Sequence, residues 1–270
     1  MIAERPLTIG EIFDHAVTLV VRRWRAVAPL LVLFAAEPAV RAACVAADPR
    51  FARHDPFAAF VLSTIEIVVF VFATAAIYRV FAADGDDVDA LGTLRATFGE
   101  GWRLARVALL CGFVLFVWSV IGGGVAFTAF RTAGALGGFV FGGVSLAVLG
   151  LLYVFTQLVY AGAALEGTGA TVSFVSALGR VRDAGTRRGA LLAGAAIAAQ
   201  FIPTFVIDSA VRQLFVMEPG LRWTPALGAV LDAFTGTLFF TAVITVAAID
   251  YRVRSEGIDL EAALEAVASA

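Results

Sequence analysis

Six long apolar stretches dominate the chain, near 26–47, 57–79, 107–129, 138–163, 189–210 and 225–249. Each is about as long as the ~20 mostly apolar residues a helix needs to cross a bilayer. A polar-striped segment precedes every second one. In the first, Ile9, Ile12, Phe13, Ala16, Val20 and Trp24 share one helical face, and Glu11, Asp14, His15, Thr18, Arg22 and Arg25 share the other. That spacing predicts an amphipathic helix lying in the membrane interface, with Thr8 and Glu11 placed as a capping box. A second copy sets Leu91, Leu94, Phe98 and Trp102 against Arg95, Arg103 and Arg106. A third sets Phe174, Val175, Leu178 and Val181 against Ser176, Arg180, Asp183 and Arg187. The last arginines of the three clusters, Arg25, Arg106 and Arg188, recur at intervals of 81 and 82 residues. The pattern predicts an all-α polytopic membrane protein, a single membrane domain over 1–270. Its three repeat units are 8–79, 90–163 and 173–251, each an interfacial helix, a turn at the arginines and a two-span hairpin. A cytoplasmic tail helix is expected within 252–270, with Leu260, Leu264 and Val267 on one side.

Composition agrees with the pattern. Of 270 residues, 60% are hydrophobic and 16% charged, and the mean hydropathy is +0.90. Soluble domains carry about 25% charged residues. A net charge of −2 gives no case for nucleic-acid binding. All 20 basic residues are arginine, which reads as base-composition bias. Their placement predicts orientation. Arg5, Arg22, Arg23, Arg25, Arg79, Arg95, Arg103, Arg106, Arg180, Arg182, Arg187, Arg188, Arg252 and Arg254 fall on one side of the bilayer. Arg50, Arg53, Arg131, Arg212 and Arg222 fall on the other, and Arg41 lies within the first span. Fourteen against five predicts both termini in the cytoplasm of a cell-membrane protein. Trp24 and Trp102 then mark the inner interface and Trp223 the outer one. No cleaved leader is expected, because the first 24 residues carry Glu4, Glu11 and Asp14 and no short apolar core.

Several motifs resolve into structural readings. Cys44 and Cys111 fall at opposite sides of the bilayer, beyond the roughly 7 Å a disulfide spans, so free thiols are expected. Two isolated histidines, His15 and His54, with two cysteines make a zinc site an unsuited reading, and no metal or cofactor is expected. The acidic run Asp84–Asp89 lacks the closing Glu of a calcium loop and reads as a solvated turn feeding acids to the next helix start. Gly134, Gly138 and Gly142, with Gly122, Gly123 and Gly124, let helix backbones approach closely. Packing of the third and fourth spans inside one chain is the favoured use, and a homodimer seam is the alternative. Pro29, Pro38 and Pro203 predict kinks.

The chain's two ends resemble a known group. The run Arg5-Pro-Leu-Thr-Ile-Gly-Glu-Ile-Phe-Asp14 resembles the opening of integral membrane proteins of the glycerophosphoryl diester phosphodiesterase membrane domain-like family. The run Asp250-Tyr-Arg-Val-Arg-Ser-Glu-Gly-Ile-Asp-Leu-Glu261 resembles that family's closing signature. The resemblance implies a stand-alone, six-span membrane part. The soluble phosphodiesterase to which such regions are attached is a metal-dependent barrel with clustered His, Glu and Asp. Nothing here matches it, so no catalytic residue carries over.

Ionisable residues inside spans are costly unless paired or wet, which makes them functional candidates. Glu37 and Arg41 stand at i, i+4 in the first span. Glu66, Asp232 and Gln200 fall at similar depth by helical rise, in the outer half of the bilayer. Glu37, Arg41, Glu66, Gln200 and Asp232 thus form a candidate polar cavity. A structural ion pair with a neutral carboxyl is the competing, preferred reading. Three functions follow. The first is a non-enzymatic membrane component associated with lipid or envelope machinery. In it Arg22, Arg23, Arg25, Arg103, Arg106, Arg187 and Arg188 meet anionic headgroups, at about 1 kcal/mol per basic residue. Its partners are membrane lipids, with a membrane protein or a second copy as further candidates. The second is a small-solute or ion carrier built on the polar layer. The third, an intramembrane hydrolase, lacks a nucleophile–base pair.

Overall fold

The computed structural model describes residues 6–48, 50, 54–83, 88–217 and 224–268. These are almost wholly helical, with no strand among them. In chain order the helices are α1 (Ile9–Ala47), α2 (Pro56–Ala82), α3 (Ala90–Gly99), α4 (Gly101–Glu166), α5 (Ala170–Asp183), α6 (Thr186–Met217), α7 (Thr224–Asp232) and α8 (Leu238–Ala268). A π-helical turn, Ala233–Thr237, joins α7 to α8. Five stretches are long and apolar enough to cross a membrane: Ile9–Val45, Pro56–Ala82, Gly101–Glu166, Thr186–Val211 and Val230–Gly257. Large apolar side chains such as Phe57, Leu136 and Phe139 stand exposed on them, as suits helices whose solvent is lipid rather than water.

Of the three breaks expected at the arginine clusters, helix ends occur near two and none occurs near the first. α3 ends at Gly99, with Glu100 at its cap, and α5 ends at Asp183, with Gly185 at φ +89° just beyond. α1 instead runs unbroken for 39 residues through Arg25, Pro29 and Pro38. Its sequence offers no glycine or acidic cap between Thr18 and Val27, so nothing local stops the helix there. The second break also falls before Trp102 and Arg106, not after them. The expected tail helix is likewise not a separate element, since α8 continues without a stop to Ala268.

α4 is 66 residues long in name only. Gly134 sits at φ 70°, ψ −161°, a conformation that glycine alone enters cheaply, and the chain folds back there. The two limbs then meet in antiparallel register. Trp118 Nε1 donates to the Ser145 carbonyl at 3.1 Å, and the Cys111 thiol lies 3.6 Å from the Thr156 carbonyl oxygen. A Cβ on Gly138 would lie 2.9 Å from Phe130 Cβ, and one on Gly142 would lie 3.9 Å from Ala126 Cβ. The small residues therefore serve close packing within the hairpin, where dispersion holds helices together. Cys44 and Cys111 are both free thiols.

The chain divides into two compact units. The first comprises Gly10–Gly101 and Ala198–Val246. Ile12, Ala16, Leu30, Leu31 and the run Ala73–Tyr78 are buried in it. Ring pairs Phe13–Phe239 (6.1 Å), Phe34–Phe70 (5.7 Å) and Phe72–Phe98 (4.2 Å, stacked) join its helices. Asp89 starts α3 by accepting the Leu91 N–H, as the acidic run implied for that residue; Asp84–Asp87 lie outside the described residues. The second unit comprises Trp102–Ile197, Ala247–Ala270 and the residues up to Ile9. Leu104, Val107, Val154, Val159, Leu192 and Ala196 are buried there. Phe155 meets Phe174 edge-on at 5.2 Å.

Candidate functional site

Arginines gather where helices end. In α1, buried Arg23 donates from Nη1 to the Val80 carbonyl (2.9 Å) and from Nη2 to the Ala83 carbonyl (2.7 Å). In α4, Arg103 Nη1 donates to the carbonyls of Ala163 (2.6 Å) and Thr168 (2.9 Å). The last carbonyls of a helix have no N–H within it, and a guanidinium there answers both them and the negative end of the helix dipole. Arg188 in α6 meets no such end, because α8 runs on and uses its own carbonyls. The side chain of Asp250, fully buried, stands in for them. It takes Arg188 Nη2 at 2.9 Å and Arg254 Nε at 3.0 Å, and its Oδ1 accepts the Leu7 N–H at 2.6 Å. The Leu7 carbonyl in turn accepts from Arg188 (2.5 Å) and Arg254 (2.6 Å). Residues near the chain's two ends, Leu7 with Asp250 and Arg254, thus meet each other. Two further ties fix α3 and α5. Arg79 bonds Glu100 at 2.7 Å, and Arg180 grips Glu166 through two contacts, 2.5 and 3.1 Å.

The seven arginines proposed for headgroup contact are thereby divided. Arg23, Arg103 and Arg188 turn inward onto backbone and carboxylate. Arg22, Arg25, Arg106 and Arg187 stay exposed. Arg25 lies 5.6 Å over the ring of Trp24 and Arg106 5.6 Å over that of Trp102, both rings themselves exposed. Such cation–π pairs contribute about 0.5–1 kcal/mol at exposed sites. Both side chains present an apolar body and a charged or polar edge, the chemistry suited to a membrane–water boundary.

The polar layer resolves into two pairs within the first unit. Arg41 Nη2 bonds Glu66 Oε2 at 3.0 Å and Ser63 Oγ at 3.2 Å. The pair is not sealed inside, with side chains 36% and 52% exposed. The Glu37 side chain lies outside the described residues. Asp232 meets α6 at Thr204, one turn after Gln200. The Thr204 hydroxyl lies 2.9 Å from the Gln200 carbonyl oxygen and also contacts Asp232 Oδ1. Gln200 Oε1 is buried with no hydrogen-bond partner. Gly236 borders the cluster: a Cβ there would meet Asp232 Oδ1, Thr204 Oγ1 and the Gln200 carbonyl oxygen at 3.0, 3.1 and 3.3 Å.

Sequence reasoning missed Thr204, Gly236, Ser63 and the Asp250 cluster. Thr204 follows Pro203 directly, and a hydroxyl beside a helix-breaking proline was a usable signal. The Asp250 cluster joins residues 243 positions apart, for which spacing offers none. Thr241 and Thr245 donate to the carbonyls of Thr237 and Thr241, the local bonding that their four-residue spacing implies. Among the described residues, no three His, Cys, Asp or Glu side chains group closely enough to hold a metal ion. Comparison with family models, curated proteins and solved structures finds no match.

Proposed function

We propose that this chain is a six-crossing membrane protein of the glycerophosphoryl diester phosphodiesterase membrane domain-like kind. Both termini are cytoplasmic, and it serves as a non-enzymatic component of a lipid or envelope assembly. The fold-back at Gly134 supports counting α4 as two crossings. Three hairpins then follow one another, and the inward arginine is their common mark. Arg23, Arg103 and Arg188 are each followed, four and eight residues on, by buried side chains: Val27 and Leu31, Val107 and Cys111, Leu192 and Ala196. These, rather than the last arginine of each cluster, are the equivalent positions. The carrying observation for lipid association is the exposed Trp24–Arg25 and Trp102–Arg106 pairs, one in each compact unit. Anionic headgroups are the partners that suit them.

Gentle extraction followed by lipid mass spectrometry tests the reading. Anionic phospholipid should co-purify, and Arg25→Ala with Arg106→Ala should lower its yield while the fold persists. Equal retention of zwitterionic and anionic lipid by both proteins would sink it. A second reading, a small-solute or ion carrier, draws support from one place only. That place lies beside Pro203 and the π-turn, where the Thr204 hydroxyl meets both the Gln200 carbonyl and Asp232.

A further inference from the structure

Two stretches of the first compact unit meet through the Thr204–Asp232 hydrogen bond, one carrying a proline inside α6 and the other the π-turn. Pro203 has no N–H, so the Ala199 carbonyl loses its partner inside α6. Opposite it, α7 stops at Asp232 and five π-helical residues shift the carbonyl ladder before α8 begins. Such π-turns are concentrated at functional sites. Between the two stretches the Thr204 hydroxyl has one hydrogen and two acceptors, the Gln200 carbonyl and Asp232 Oδ1. The same glutamine's side-chain Oε1 is buried with no hydrogen-bond partner. Gly236 leaves bare the face on which the three oxygens converge, since a Cβ would crowd all of them. The local inventory is therefore an excess of hard oxygen acceptors carrying a single carboxylate charge.

That inventory selects a ligand class. A divalent ion takes six or more oxygens, commonly with several carboxylates, and no such cluster stands among the described residues. One carboxylate with neutral carbonyl and hydroxyl oxygens matches a monovalent cation. Broken helices that turn free carbonyls toward an ion are also how carriers hold sodium within a bilayer. We propose that the Gln200 carbonyl, Thr204 and Asp232, around the bare face of Gly236, bind an alkali cation, for which sodium is the probe. The inference rests on the carrier reading for its purpose, but binding is measurable without transport.

The test uses the purified full chain in detergent. Equilibrium binding of radioactive sodium is measured, together with thermal unfolding in sodium, potassium and choline chloride at equal ionic strength. Sodium should bind saturably and raise Tm over choline, increasingly with concentration, as a ligand of the folded state does. Asp232→Asn should lower sodium affinity at least about tenfold, since even outer partners of metal sites act on that scale. Thr204→Val and Gly236→Ala should weaken it too, and Arg41→Ala, in the other polar pair, should leave it intact. Should Asp232→Asn not fold, the wild-type isotherm and Thr204→Val decide. Absence of sodium binding with equal Tm in all three salts overturns the site, as does Asp232→Asn binding like wild type. Stability that follows pH but no cation also overturns it, because the acid then holds only a proton. Saturable binding without sodium-dependent uptake in proteoliposomes keeps the site and removes the carrier reading.

Discussion

Arg23 and Arg25 stand two residues apart and do opposite things. At 3.6 residues per turn, two steps rotate a side chain by about 200°. Arg23 therefore points at the end of α2, while Arg25 lies over Trp24 at the surface. Their removal should differ accordingly. Arg23→Ala orphans the Val80 carbonyl, whose bond is buried, at about 1–3 kcal/mol for a buried group left unsatisfied, and the Ala83 carbonyl, whose bond is part-buried, at less. A total loss of roughly 2–4 kcal/mol is expected, and Arg23→Lys should recover only part of it because an ammonium cannot reproduce the guanidinium fork. Arg25→Ala should cost under about 1 kcal/mol. Thermal unfolding of the three variants in one detergent checks this, and equal losses at 23 and 25 would contradict the assignment. From the sequence Arg25 lies on the polar stripe and Arg23 falls off it, yet both were assigned to lipid headgroups. A stripe is defined by angle around the helix axis, and it does not say which polar residue another helix end will reach.

α1 and α4 are the elements whose extent a linear reading misjudges, in opposite directions. α1 was expected to turn at Arg25 and runs straight on as helix, because an amphipathic stretch and an apolar one join without a stop signal. α4 carries helix-forming residues on both sides of Gly134, and the reversal depends on that one glycine at positive φ. The apolar stretches at 107–129 and 138–163 nevertheless fall on its two limbs, with Gly134 and Gly137 in the interval between them. The fold-back has a covalent test. A Cβ on Gly122 would lie 3.1 Å from Ser145 Cβ, slightly inside the roughly 3.5–4.5 Å that a disulfide spans. In a background without Cys44 and Cys111, Gly122→Cys with Ser145→Cys should cross-link on mild oxidation within one chain. A straight helix would hold these positions about 35 Å apart at 1.5 Å per residue, and failure to cross-link while a pair elsewhere succeeds would support it.

For the whole molecule the arginine bias makes the strongest forecast. Single cysteines replacing His54 and Thr168, in the same background, should respond differently to a membrane-impermeant thiol reagent on intact cells. The first should label and the second be spared. Labelling at 168 alone would invert the orientation. Arg103 gives that forecast a second use: it donates to the carbonyl of half-buried Thr168, so the loop there should be held in place and not trail freely.

The helical membrane class was written in the sequence, because the free energy of placing a segment in lipid sums over some 20 neighbouring residues and needs no knowledge of the rest of the chain. The Asp89 cap, the threonine back-bonds and the separate α3 and α5 were equally local. Partner choice was not. Leu7 with Asp250, Arg23 with Val80 and Thr204 with Asp232 are pairs set by which helix ends and which breaks come within about 3 Å. Such proximity exists only after packing. Hydrogen bonds reach one atom's length, and the chain's one-dimensional order holds no record of which distant atom that will be.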